Sequence, residues 1–410
     1  MHRESVGTPR RAGVPPVKSS GRLEVDRHPG NSPPPQIELG YAISKREEIR
    51  MIRASMIGLG LLVVLGLGGP ASAQVTKYAV VDLGTLGGGT ANDVNNPSQG
   101  VGTTVNDDGA SHAFTGRVKV DLTQTDLGTL GGANCPFCNS FGRAINDGFQ
   151  MVGRSDTGNG TTDAFLFTTA SGMQDLGTLG GSNSDAEGLN FSEATGKATQ
   201  IVGSSFVLGD TAEHAVTWDA NLNILDLGTL GGINSGAFGD NFGQQVVGTS
   251  DTDIEDPATG LFETHAFVWD SVHGMQDLGS LGGDLAQANG INYSGQIVGF
   301  SYLAGNSQAD AFLYANGTMK DLGNLGGSYS QANAINNPGT VVGFSNTTGD
   351  ADVHAFVWTP KGGLQDLNNL IPANSGWDLN AANSINNNGK IVGTGILNGE
   401  SHGFALIPVH

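Results

Sequence analysis

Cysteine, positive charge, long apolar runs and helical periodicity are all scarce in this sequence, and each shortage excludes something. Two cysteines among 410 residues rule out a disulfide-built scaffold and a multi-cysteine zinc module. Lys and Arg number 19 against 39 Asp and Glu, a formal charge of −20. A protein that neutralises phosphates needs a basic face, so nucleic acid is excluded as a partner. The shortage of charge is not a sign of disorder, because 38% of residues are hydrophobic and only 14% are charged, which leaves material for a core. Catalytic signatures are missing too: no GK[ST] follows any glycine-rich loop, and no G-x-S-x-G precedes a helical pattern.

What is present first is a leader of different composition. Residues 1–50 are rich in proline and mixed charge without apolar periodicity, and read as disordered. From Met51, a cationic Arg53, an apolar run from Ile57 to Leu67 and the small residues Ala71, Ser72 and Ala73 make up the parts of a secretory signal peptide over 51–73. The run is too short to span a bilayer, which takes about 20 apolar residues. Cleavage is expected between Ala73 and Gln74, and translation from Met51 or Met56 would make 1–50 a mis-assigned start. The mature chain, 74–410, is then extracellular or periplasmic, with no membrane span. It is more acidic than the whole, since ten of the 19 basic residues precede it.

The 65 glycines, about twice the usual usage of roughly 7%, lead to a repeat. Asp-Leu-Gly recurs at Asp82, Asp126, Asp175, Asp226, Asp277 and Asp321, with Asp-Leu-Asn at Asp366, at spacings of 44 to 51 residues. A Gly-rich segment, most often TLGG, follows each. Then come an Asn closing an apolar stretch (Asn95, Asn146, Asn190, Asn241, Asn292, Asn336, Asn386) and an apolar run ending in Gly102, Gly153, Gly203, Gly248, Gly299, Gly343 or Gly393. Last is His-Ala-Phe or a variant, beginning at His112, Asp163, His214, His265, Asp310, His354 and His402. Within a repeat these are four short runs rich in Ala, Val, Ile, Phe and Trp, separated by turn residues. Four antiparallel strands per repeat of this length predict an all-β, seven-bladed β-propeller. The chain opens on a lone outer strand at Tyr78 and ends on a third strand at His402, so the N-terminal strand would complete the last blade and close the ring. A β-solenoid is the alternative, though its end repeats should look like caps.

The DLGTLGG, IN, VVG and HAF elements, recurring in fixed order over 78–410, resemble the HAF-repeat family of bacterial extracellular proteins. Departures stand at Asp163 and Asp310, at Val216 and at Gly403. The resemblance implies secretion and repeat architecture, and supplies no catalytic motif.

A feature present in every blade serves packing before chemistry. The Asn residues suit turns after the inner strand, the VVG glycines suit close backbone approach, and Phe356 and Trp358 suit the layer between blades. The five HAF histidines, one blade apart, are too far from each other to share an ion; replacement by Asp in two blades suggests a common role as acceptor to a backbone N–H. Cys135 and Cys138 are expected to form a local disulfide. Loop lengths vary on the face that carries the loops after VVG and after Asp-Leu-Gly, and variable loops on a rigid scaffold are the usual binding place. On that face, Asp251, Asp253, Glu255 and Asp256 form either a solvated acidic loop or a weak Ca2+ site. Trp377 either stacks on a sugar or peptide or covers the core. The expectation is a monomeric, non-enzymatic binding protein for a glycan, peptide or cell-surface component. The alternatives are a propeller hydrolase or lyase acting on extracellular polysaccharide, and a structural surface or matrix component.

Overall fold

A computed structural model describes residues 78–409 except 86–88, 107–108, 119–123 and 256–259. The disordered segment, the signal peptide with Ala73 and Gln74, and Asp256 therefore lie outside the described residues. Apart from three short 3-10 turns, every described element is a strand. No helix among the described residues is long and apolar enough to cross a membrane.

Strand pairing gathers the described residues into seven four-stranded antiparallel sheets, a β-propeller. The sixth shows the pattern. Its inner strand Gly326–Ile335 pairs with Val341–Thr347, which pairs with Val353–Thr359, which pairs with the outer strand Gly363–Asp366. The inner strands of the first to fifth sheets are Thr90–Val94, Ser140–Ile145, Gly180–Leu189, Gly231–Asp240 and Gly282–Ile291. The seventh is composite: Trp377–Ile385, Ile391–Leu397 and Glu400–Pro408 take their fourth strand from the start of the chain, Tyr78–Asp82. Asp82 is in register with Phe404, and Leu83 N–H donates to Gly403 O at 2.9 Å. The offset in the order of repeat elements is thus a closure between the two ends of the chain.

Seven hydrophobic clusters fill the spaces between consecutive sheets, the space between the seventh and the first included. Period-two alternation divides each third strand between two of them. Phe356 and Trp358 face Val298 and Ala311 of the fifth sheet, while Ala355 and Val357 face Leu379 and Phe404 of the seventh. Full burial of such a Phe stabilises by about 1.5–3 kcal/mol, and the HAF Phe is buried in each of the six sheets that has one.

One irregularity recurs in every inner strand and matters for the site. Three residues before the turn Asn, an extra residue is inserted into the pairing: Asn92, Arg143, Glu187, Phe238, Asn289, Asn333 and Asn383 occupy this β-bulge. The VVG glycine sits opposite. A Cβ on Gly343 would lie 1.9 Å from Gln331 O, and the other six positions give 1.8–2.0 Å from the corresponding carbonyl. Glycine is required there because the bulged strand's backbone occupies the space a side chain would need.

Candidate functional site

The turn Asn residues join the inner strands into a ring. Asn95 Nδ2 donates to Asn146 O, Asn146 to Asn190 O, Asn241 to Asn292 O, Asn292 to Asn336 O, Asn336 to Asn386 O, and Asn386 back to Asn95 O, all at 3.0–3.1 Å. Each Asn Oδ1 also binds its own turn, as Asn336 does by accepting from Thr340 N–H. One link of the seven is missing. Asn190 Nδ2 is buried yet donates to no acceptor among the described residues. Its turn is the long one: Asn190 Oδ1 is drawn to Thr199 and Gln200, nine and ten residues on.

Beside this gap stands Asp240, where the other sheets carry Val, Ile or Leu just before the turn Asn. Its Oδ2 is buried without a partner among the described residues. Burial pushes its carboxyl well above the ordinary range, against weaker opposing hydrogen bonds from the backbone.

Around the ring opens a cavity of about 430 Å3, lined at each turn by the Asn, its predecessor and its successor. The successors divide it. Phe191, Phe242 and Tyr293 stand on three consecutive sheets, whereas Asn337, Asn387, Asn96 and Asp147 occupy the other four. Phe242 and Tyr293 stack at 5.2 Å with planes 17° apart and remain 45% and 60% exposed. The polar residues form a relay from turn to turn: Tyr293 N–H donates to Asn337 Oδ1, Asn337 N–H to Asn387 Oδ1, Asn387 N–H to Asn96 Oδ1, and Asn96 N–H to Asp147 Oδ1. Among the described residues, no lysine or arginine lines the cavity.

Deeper along the inner strands the bulge residues form a second tier. Asn92, Asn289, Asn333 and Asn383 donate to Gly142 O, Ala332 O, Ala382 O and Ala91 O of the next inner strand. In the second and third sheets this tier is ionic. Arg143 lies 2.7 Å from Asp185 and 3.5 Å from Glu187, and Arg154 lies 3.5 Å from Asp185. Burial pulls the Arg143 guanidinium down, but Glu187 and Asp185 outweigh it and hold the group firmly protonated. Burial likewise pushes the Glu187 carboxyl up to about 7, against the attraction of Arg143.

The residues singled out in the sequence fall elsewhere. Trp377 begins the seventh inner strand, at the end opposite Asn386, and packs edge-on against His402 and Phe404 at 5.9 and 6.0 Å, as a core cover does. Asp251 accepts from Asn234 N–H and Nδ2 and from the Thr264 hydroxyl, while Asp253 and Glu255 are exposed. Among the described residues no three His, Cys, Asp or Glu come together in a metal-binding group. Cys135 and Cys138 are joined as a disulfide, and Gly131 makes room beneath them.

The HAF residue has a different role from acceptor to a backbone N–H. Nδ1 of His112, His214, His265 and His354 lies 2.8–2.9 Å from Asp126, Asp226, Asp277 and Asp366, the Asp-Leu-Gly carboxylate of the same sheet. His402 reaches Asp82 across the closure at 2.8 Å. The Asp needs a partner because its other duty is local, accepting from the N–H two residues on. Sequence reasoning also missed the serine that stands two residues after the VVG glycine in five of the seven sheets, Ser155, Ser205, Ser250, Ser301 and Ser345. Buried Ser345 Oγ, for example, accepts from Leu325 N–H of the TLGG loop.

No family model matches the chain, and no curated protein matches it. Similar solved structures include the β-propeller domain of the Trilobed protease from Pyrococcus furiosus (TM-score 0.49, 10% identity, covering 81% of this chain and 94% of that one). A puromycin hydrolase gives TM-score 0.49 and 14% identity over 73% of this chain and 48% of that one. TolB from Acinetobacter baumannii gives 0.40 and 12% over 64% of each, so this chain spans less than two thirds of that protein's length. The fold is read from the strand pairing and the ring themselves.

Proposed function

We propose that this chain is an extracytoplasmic, non-enzymatic seven-bladed propeller that binds a ligand in the mouth of the Asn ring. The observation that carries the reading is the division of that mouth: a repeat that could place the same residue at every turn instead puts three aromatic rings on one side and four amide or carboxylate side chains on the other. Packing alone gives no reason for large aromatic groups to stand half exposed beside a polar cavity, whereas ligand recognition does. The site replaces the loop-rich face as the expected place of binding, because Trp377 and Asp251 are already engaged by neighbours. Export rests on the signal peptide pattern over 51–73.

A hydrolase reading draws on one observation, the Glu187 carboxyl held near neutrality beside Arg143. The charges of that cluster face one another in ion pairs, Arg143 with Asp185 and Glu187 and Arg154 with Asp185, which favours a structural role. The two readings separate on one experiment. The full-length protein is applied to glycan, peptide and cell-envelope arrays, beside Asn337→Trp, which fills the cavity from its exposed rim. Capture that disappears in the variant supports mouth binding. Turnover of any labelled polymer, or capture indifferent to Asn337→Trp, overturns it.

A further inference from the structure

The gap in the Asn ring and the aromatic side of the mouth coincide. Asn190 and Asp240, the two lining residues with buried unpartnered polar atoms, lie in the third and fourth sheets. Phe191 and Phe242 directly follow Asn190 and Asn241 in the same turns, and Tyr293 is one sheet further on. An unsatisfied buried donor costs about 1–3 kcal/mol, and the repeat shows six times how that cost is avoided. The third and fourth sheets leave one donor, Asn190 Nδ2, and one carboxyl oxygen, Asp240 Oδ2, without protein partners among the described residues, in two side chains that line the cavity next to an exposed aromatic platform.

We infer that the mouth is a saccharide site, in which a neutral sugar residue stacks on Phe242 and Tyr293 and one of its hydroxyls bridges Asn190 Nδ2 and Asp240. A hydroxyl both accepts and donates, so one group satisfies both orphans; a peptide carbonyl or amide satisfies one of them. The ring-face C–H groups of a pyranose suit the flat, stacked pair, and the remaining hydroxyls suit the Asn337–Asn387–Asn96 relay opposite, which offers both amide donors and carbonyl acceptors. Charge selects within the class. With no lysine or arginine among the described residues lining the cavity and the carboxyls of Asp147, Glu193 and Asp240 around it, a uronate, sialylated or phosphorylated sugar is disfavoured. The raised pKa of Asp240 agrees, because a carboxyl resisting ionisation suits a neutral ligand better than a cationic amino sugar.

This inference rests on the mouth-binding reading and is tested so that the two can fail separately. The full-length protein is titrated calorimetrically with neutral hexasaccharides (maltohexaose, cellohexaose, N-acetylchitohexaose), with a glucosamine hexamer, with an oligogalacturonate and with a random peptide pool. At least one neutral oligosaccharide should bind, and Phe242→Ala or Tyr293→Ala should weaken it about tenfold. Asp240→Ile supplies the discriminating variant, since it installs the apolar residue that four other sheets carry. It should fold at least as well as the parent by thermal unfolding and still lose the saccharide. Leu208→Ala, at an exposed site outside the cavity lining, should bind as the parent does. Unchanged affinity in Asp240→Ile and Phe242→Ala overturns the inference, as does silence across the neutral panel. Peptide binding that Phe242→Ala removes overturns the saccharide assignment, and amino-sugar or galacturonate binding that it removes overturns the preference for a neutral sugar; either result leaves the mouth as the binding site.

Discussion

Two sectors of one ring are built from the same repeat and differ at their inner edge. In the first, fifth, sixth and seventh sheets the bulge residue is Asn and reaches the next inner strand's carbonyl. In the second, third and fourth it is Arg143, Glu187 and Phe238. The regular sector shows that neighbouring inner strands can be linked by side-chain amide hydrogen bonds of 2.7–3.0 Å. The irregular sector shows that the joint tolerates replacement, by an ion cluster in one place and an aromatic ring in another, and it contains the one break in the Asn ring. Conserved backbone geometry with divergent side chains marks where the scaffold stops dictating residue type.

The largest effect should be common to both sectors, because the bulge is common to both. Gly343→Ala in the regular sector and Gly203→Ala in the irregular one each bring a Cβ to 1.9 Å from a carbonyl oxygen, Gln331 O and Asp185 O. Neither main chain can retreat without breaking the sheet. Each substitution should cost at least about 4 kcal/mol, read by urea unfolding or by loss of soluble protein. A mild effect at Gly203 alone would mean that the irregular sector is also softer in its backbone.

Removing one connector from each sector should separate them. Asn333→Ala strands a carbonyl on Ala382 and should cost about 1–2 kcal/mol. Arg143→Ala leaves Asp185 and Glu187 beside each other and mostly out of water, and should cost about 3 kcal/mol. Equal losses in chemical denaturation would erase the energetic distinction between the amide and ionic joints.

Much of this was legible in the sequence, and the reason is recurrence. An element seen seven times in order announces strand, turn and closure without any geometry, so the ring, the Asn turns, the close approach at Gly343 and the burial of Phe356 followed from spacing alone. The bulge did not, since it exists only as two residues facing one, and Arg143 meets Glu187 across 44 positions only once the second and third sheets pack together. Closure also hid one of the His partners, since His402 and Asp82 are 320 positions apart, whereas the other four pairs are 12 to 14 residues apart and were hidden only by the pairing of the third strand with the outer one. The mouth left a signal that loop length concealed. Variation in length pointed to the face with Trp377 and Asp251, while variation in identity at fixed length, Phe242 and Tyr293 against Asn337 and Asn387, marked the opposite end.

The smallest effect asks whether the irregular sector also carries a cost at its outer edge. There Asp163 replaces the HAF histidine and faces Asp175, carboxyl against carboxyl. Burial first, then the Asp175 charge and their shared hydrogen bond, push the Asp163 carboxyl up to about 6 from an ordinary 3.8. A folded-state value above the unfolded one favours the protonated fold, so this contribution is fully present below about pH 3.8 and is lost as pH rises through about 6. At neutral pH the pair is therefore a repulsion. Asp163→His should replace it with the His–Asp contact of five other sheets. Because the pair is partly exposed, solvent screening reduces the expected gain to about 1 kcal/mol at pH 7. The gain should shrink toward pH 4, where the parent's Asp163 is protonated. Thermal unfolding of parent and variant between pH 4 and 7.5 reads the difference directly, and a pH-independent gap would show that the two carboxyls do not repel. In the fifth sheet Asp310 already accepts from Gln308 Nε2 and Asn324 Nδ2, so Asp310→His forfeits two donors and should gain less. A sheet that lost its histidine but acquired amide donors has solved the problem that Asp163 leaves open.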